Sequence, residues 1–119
     1  MNHNQTIGKF GEDLAKNYLI RHGYEIIKAN VKLSYLELDI VARKDNLTVF
    51  VEVKTRLNQF YGPAEDAFAP GKAERFKRGL QNYLFEHKLS IEDFRADLIA
   101  IDLDREKKIA KLKHFKDVI

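Results

Sequence analysis

From Glu37 to Leu57 apolar and polar residues alternate on either side of a short junction, Lys44-Asp45-Asn46-Leu47. Alternation with a period of two predicts strands and Asp-Asn between them predicts a tight turn, so this segment predicts a β-hairpin. A turn centred between Asp45 and Asn46 opposes Asp39 to Glu52 and Glu37 to Lys54. On that register Leu38, Ile40 and Ala42 share one face with Val49, Val51 and Val53, a coherent core surface, while three carboxylates and one ammonium collect on the other.

The remaining pattern surrounds this hairpin with helices and further strands. Ile7, Phe10, Leu14, Tyr18 and Leu19 fall at helical spacing and predict a helix from about Thr6 to His22, with Gly23 as its stop. Tyr24 to Asn30 predicts a short strand. Asn58 to Pro70 contains Gly62-Pro63 and ends at Pro70-Gly71, which predicts a long loop. Gly71 to His87 predicts a second helix with Ala73, Phe76, Leu80, Tyr83 and Leu84 as its apolar stripe. Phe94 to Leu103 and Lys108 to Phe115 predict two more strands joined by a turn at Asp104 to Lys107. The order helix, strand, hairpin, helix, strand, strand predicts an α/β sandwich with a mixed sheet, formed as one domain over residues 1–119.

Composition narrows the class. With 119 residues, 45% hydrophobic and 33% charged, the chain suits one soluble globular core and is too short for two. The absence of cysteine excludes disulfides, thiolate metal sites and cysteine nucleophiles. No apolar run resembles a signal core or membrane span, so the expected location is the cytoplasm with no membrane partner. A formal charge of +3 is compatible with an anionic partner without requiring one. Lys72, Arg75, Lys77 and Arg78 form one basic cluster, and Lys107, Lys108, Lys111, Lys113 and Lys116 form another. Both suit either phosphate contact or a solvated face, and for the C-terminal lysines the solvated face is favoured.

The carboxylates carry the candidate chemistry. Directly opposed carboxylates on a sheet repel by several tenths of a kcal/mol or more, and a cation between them removes that cost. An all-oxygen pair without Cys or His suits Mg²⁺ or Mn²⁺ rather than Zn²⁺. The competing reading is a solvated outer face with Glu37 and Lys54 as a cross-strand ion pair. In the first helix Gly8, Gly11, Glu12, Ala15 and Leu19 lie along one side. Two glycines there cost roughly 1 kcal/mol each relative to alanine, a cost offset by close packing that could bring Glu12 to the hairpin. The alternative is that Glu12 simply favours the positive end of the helix dipole.

Together, Glu12, Glu37-x-Asp39 and Glu52-x-Lys54 resemble the metal-dependent core of the restriction-endonuclease-like superfamily, in which an acidic residue precedes (D/E)-x-K on a hairpin. Gly8-x-x-Gly11-Glu12-x-x-Ala15-x-x-Tyr18-Leu19, Gly23-Tyr24, Asn30, Glu37-Leu38-Asp39-Ile40-Val41-Ala42, Phe50-Val51-Glu52-Val53-Lys54-Thr55-Arg56 and Lys72 are similar to the prokaryotic YraN-type family, itself similar to archaeal Holliday-junction resolvases. Leu36 departs from the glycine usual before the family's acidic triplet, and Ala96 departs from a phenylalanine between Arg95 and Asp97.

The resemblance implies an αβββαβ nuclease fold, Mg²⁺ or Mn²⁺ as cofactor, and cleavage of phosphodiester bonds in structured or branched DNA, with a homodimer compatible. It implies Asp39 and Glu52 as metal ligands, aided by the Val53 carbonyl, and Glu12 as a direct or water-mediated ligand. Lys54 would orient or deprotonate water or stabilise the transition state. Glu37 would be an outer partner of Lys54. Arg56 and Lys72 are expected at flanking phosphates. Phe60 and Tyr61 suit loop anchoring more than base stacking, and the histidines at positions 3, 22, 87 and 114 have no ligand spacing. The alternative expectation is a catalytically silent nucleic-acid-binding accessory protein with the same fold.

Overall fold

The computed structural model describes residues 3–32, 37–57, 70–88 and 93–119, with backbone alone for 3–5 and 70–73. Its elements are α1 (His3–Arg21), β1 (Glu25–Lys32), β2 (Glu37–Lys44), β3 (Leu47–Leu57), α2 (Pro70–Glu86), β4 (Phe94–Asp104) and β5 (Ile109–Phe115). The strands form one sheet in sequence order, with β3 and β4 parallel and the other neighbours antiparallel. This is the mixed α/β arrangement expected from the pattern. The expected loop from Asn58, including Phe60 and Tyr61, lies outside the described residues as far as Pro70.

Local chemistry explains the boundaries. After α1 the Tyr24 N–H donates to the Leu19 carbonyl (2.9 Å) and the Gly23 N–H to that of Ile20 (3.1 Å), with Gly23 at φ 89°. These paired bonds close a helix through a left-handed residue, where glycine has no Cβ penalty. The hairpin turn places Asp45 at φ 56°, a conformation that Asp tolerates. The β2–β3 register runs from Lys44 opposite Leu47 to Ile40 opposite Val51, the register the sequence predicts.

Two apolar layers hold the sheet. On one face Ala15 and Leu19 of α1 meet Ile40, Ala42, Val49, Val51, Ile99 and Ile101. On the other, Phe76, Leu80, Tyr83 and Leu84 of α2 meet Leu38, Val41, Phe50 and Ala96. The second layer corrects the hairpin expectation, because the face assigned to polar residues also buries Val41 and Phe50 beneath α2. A central strand covered on both sides must be apolar on both, as the continuous run Val49-Phe50-Val51 is. The α1 stripe is also corrected. Phe10 is 52% exposed, and the inward line is Gly11, Ala15 and Leu19.

Leu38 departs from the expected parity, packing on the α2 side whereas Ile40 packs on the α1 side. The change of face falls at Asn30, which takes φ 53° between the Ala29–Ile40 and Val31–Leu38 pairs. Val31 moves with Leu38 to the α2 layer. The β1–β2 ladder therefore turns over across Asn30 and the facing Asp39.

Candidate metal and nucleic-acid site

Asp39 stands where the hairpin ladder ends. Continuing the register beyond Ile40–Val51 would send the Val53 N–H to the Leu38 carbonyl. Instead it donates to Asp39 Oδ2 at 2.7 Å, so a side chain replaces a backbone acceptor. Glu52 is buried at 7% exposure and hydrogen-bonds the Asp39 carboxyl. Two carboxyl groups in hydrogen-bond contact need a proton or a cation between them. Burial, followed by the charge of Glu52, pushes the Asp39 carboxyl up to about 8, against the opposing bond from Val53; Glu12 adds to the upward push.

Glu12 approaches from α1, and the close packing expected of its glycines holds at one of them. A Cβ on Gly11 would fall inside the Thr55 side chain, 2.8 Å from its Cβ, so α1 lies against β3 as no other residue type permits. Gly8 has open space instead. Burial raises the Glu12 carboxyl above its usual range, opposed by Lys16, with Glu37 adding to the rise. With its amide nitrogen turned to the carboxylates, Asn30 donates to Glu12 Oε1 (3.1 Å) and Glu37 Oε1 (3.0 Å). The family resemblance includes Asn30 and implies no role for it. Its signal is an asparagine within a strand pattern, the non-glycine residue best suited to positive φ.

The acidic groups thus form a chain. Asn30 links Glu37 to Glu12, Glu12 acts on Asp39 through its charge, and Asp39 bonds Glu52. Among the described residues no three Asp, Glu, His or Cys side chains converge closely enough to hold a metal together. Asp39 and Glu52 are the two carboxyls in direct contact, and Glu12 acts on Asp39 through its charge. The all-oxygen donor set fits a hard divalent cation such as Mg²⁺ or Mn²⁺.

Lys54 lies two residues beyond Glu52 on the same face of β3 and is half-buried. The expected Glu37–Lys54 pairing is not part of the β2–β3 ladder; Glu37 is opposed to Lys32 of β1. Arg56 is half-buried beside Asp102 of β4, and both Arg56 Nε and Asp102 Oδ1 are buried without hydrogen-bond partners. Lys72 belongs to α2, with its side chain outside the described residues.

A second polar centre lies away from this pair. Asp97 has no exposed surface and accepts from Arg95 Nε and Nη2 (both 2.8 Å), His114 Nε2 (2.7 Å) and the Asp117 N–H (3.0 Å). Arg95 also donates to the Tyr24 hydroxyl (2.7 Å), and the Tyr18 hydroxyl meets His114 Nδ1 at 3.1 Å. Burial opposes ionisation of Asp97, yet the bonds from His114 and Arg95 and the Asp117 N–H hold it below the usual carboxylate range. His114 thus ties the last strand to α1, a structural task that its position at a strand end did not reveal.

No helix among the described residues is long and apolar enough to cross a membrane. The model of Uncharacterised protein family UPF0102 matches residues 11–101, spanning Glu12, Asp39, Glu52 and Lys54. A UPF0102 protein of Chloroherpeton thalassium is 36% identical over 118 residues, covering 99% of this chain and 92% of the relative. One of Flavobacterium psychrophilum is 37% identical over 117 residues, covering 98% and 96%. One of Syntrophotalea carbinolica is 38% identical over 110 residues, covering 92% and 88%. With a family model over most of its length and relatives matched nearly end to end, the chain belongs to the UPF0102 family.

Proposed function

We propose that this protein is a Mg²⁺- or Mn²⁺-dependent endonuclease of restriction-endonuclease-like type that hydrolyses phosphodiester bonds in structured or branched DNA, as the resemblance to Holliday-junction resolvases implies. The observation that carries the reading is the Asp39–Glu52 pair, two carboxyls held in hydrogen-bond contact with Asp39 pushed up to about 8. A structural hairpin gains nothing from that arrangement, whereas a divalent cation replaces the proton and relieves the repulsion.

In this reading Asp39 and Glu52 hold the cation, and the Val53 carbonyl is available beside them. When bound, the cation supplies neutralisation of phosphate charge and a more acidic water. Lys54 places a compact positive charge beside the phosphate or the attacking water. Glu12, kept in place by Asn30, orients solvent next to the pair. Arg56 and Lys72 contact flanking phosphates, and the expected partner is DNA, with a homodimer compatible.

The test is cleavage of four-way-junction, flap, single-stranded, duplex and RNA substrates with Mg²⁺ or Mn²⁺, beside Asp39→Ala. Metal-dependent cleavage absent from the variant supports the reading; activity in both proteins indicates a contaminant. Lys54→Ala is expected to lower cleavage by about a hundredfold or more while leaving Mn²⁺ affinity unchanged, because an ammonium is not a ligand. Equal loss of Mn²⁺ affinity in Lys54→Ala and Asp39→Ala would contradict that division of roles. The lack of a third converging ligand among the described residues favours a second reading, an accessory protein that binds nucleic acid without turnover. DNA binding by wild type with no cleavage of any substrate would select it.

A further inference from the structure

Register places a second set of cations beside the Asp39–Glu52 pair. The α1 face of the sheet takes Val53 and Leu103 together with Leu112. Alternation then puts Lys54 and Arg56 of β3, Ala100 and Asp102 of β4, and Lys111 and Lys113 of β5 on the opposite face. Lys54 pairs with Ala100 and Ala100 with Lys113; Arg56 pairs with Asp102 and Asp102 with Lys111. These are two parallel rows across three strands, separated by roughly 6.6 Å along the strands, each ending in a lysine about 10 Å from its β3 cation. Lys111 and Lys113 are exposed. The next row toward the start of β3 is Glu52, Leu98 and Phe115. The cationic rows therefore begin immediately beside the acidic pair, with Ala100 and Asp102 buried at their centre and Lys111 and Lys113 exposed at their β5 end.

One feature separates this face from an ordinary lysine-blunted edge. An edge strand protected against pairing needs charge, but not charge sorted by side. Here both lysines of β5 fall on the face that carries Glu52, and the other face carries Ala110, Leu112 and His114. The two rows hold Lys54, Lys113, Arg56 and Lys111 with Asp102, and Glu52 and Asp104 stand in the rows on either side.

We infer that Lys111 and Lys113 of the last strand, with Lys54 and Arg56, form a track for the nucleic-acid backbone flanking the phosphate that a cation at Asp39 and Glu52 would hold. The inference rests on the nucleic-acid partner proposed above and extends it to a strand that the sequence assigns to a solvated face. The contacts are to phosphate, so the track adds affinity and orientation without sequence preference.

The test uses fluorescence anisotropy of a labelled duplex and a labelled four-way junction over a salt series, with Ca²⁺ replacing Mn²⁺ so that the strands remain intact. Lys111→Gln/Lys113→Gln is compared with Lys28→Gln/Arg43→Gln, which removes the same charge from exposed positions on β1 and β2. The β5 pair is expected to weaken binding about tenfold on every sequence and to flatten the slope of log K against log salt by about 1.8, the loss of two phosphate contacts. The control is expected to keep the wild-type slope, and both variants to melt with wild type. An unchanged slope in the β5 pair, equal flattening in the control, or no binding by wild type overturns the track. Cleavage and Mn²⁺ calorimetry separate this outcome from the nuclease reading. A wild type that cleaves and binds Mn²⁺ while the β5 pair binds DNA normally removes the track alone. Lysine-dependent binding without cleavage or Mn²⁺ uptake leaves the track and removes the nuclease.

Discussion

Asp39 and Asp97 sit in the same sheet and end on opposite sides of the ordinary carboxylate range. Asp97 has no exposed surface, yet it is the one that ionises easily. Its oxygens receive Arg95 through two bonds, His114 and a backbone N–H, so every direction around the carboxylate is filled by a donor. Asp39 receives one backbone N–H and faces a second carboxyl. Burial disfavours charge in both, and the count and sign of neighbours decide the result. The saturated aspartate is a structural tie from β4 to β5 and α1. The other meets a second carboxyl where Asp97 meets donors, and holds its proton instead.

The largest expected effect is at the saturated centre. Asp97→Asn leaves Arg95 and His114 facing a neutral amide in a buried site, which should lower stability by roughly 3 kcal/mol and the melting temperature on the order of 10 °C. Thermal melts by circular dichroism measure it, and a loss near zero would erase the contrast between the two aspartates. The carboxyl of Asp97 is held below its unfolded value, so its contribution is present above that value and disappears as pH falls through the folded one. The Asp97→Asn deficit should therefore be constant through neutral pH and shrink only in acid.

Metal should act on one centre only. At a Mn²⁺ concentration a hundred times its Kd, wild type should gain about 2.7 kcal/mol, and Asp97→Asn should gain the same increment from its lower baseline. Asp39→Asn should lose most of the gain, and chelator should reverse it. Equal responses in wild type and Asp39→Asn would mean that the cation binds elsewhere.

The smallest effect has the opposite sign from the first. Without metal, Asp39→Asn should melt higher than wild type, by about 0.5–1 kcal/mol near neutral pH, because the amide oxygen still accepts from Val53 and the amide donates to Glu52 without the proton uptake that folding imposes on the Asp39 carboxyl. Folding raises the Asp39 carboxyl from 3.8 to about 8, so its stabilising contribution is complete below the lower value and lost as pH rises through the higher. The advantage of Asp39→Asn should accordingly grow from acid toward pH 9. A difference that is flat with pH would mean that the carboxyl titrates as an ordinary solvated group.

Much of this arrangement was legible along the chain because it depends on local periods and turns. The Asp45-Asn46 junction and the alternation beside it set the hairpin register as far as Ile40 and Val51, which brings Asp39 and Glu52 to neighbouring positions without reference to any distant residue. Gly23 marked the end of α1, and Phe76, Leu80, Tyr83 and Leu84 marked the buried side of α2, since each signal is complete within one or two turns of chain. What required the tertiary structure was everything set by elements far apart in sequence. Val41 and Phe50 lie at positions a one-sided hairpin would give to solvent, and only the docking of α2 makes them core. The left-handed Asn30 turns Leu38 away from Ile40 and carries Glu12 and Glu37 on one amide, which no period in β1 announces. His114 acquires its partners from Tyr18 and Asp97, one of them 96 residues away. Alternation specifies which residues share a face; what covers that face, and whether a buried carboxyl finds donors or another carboxyl, is decided when the layers close.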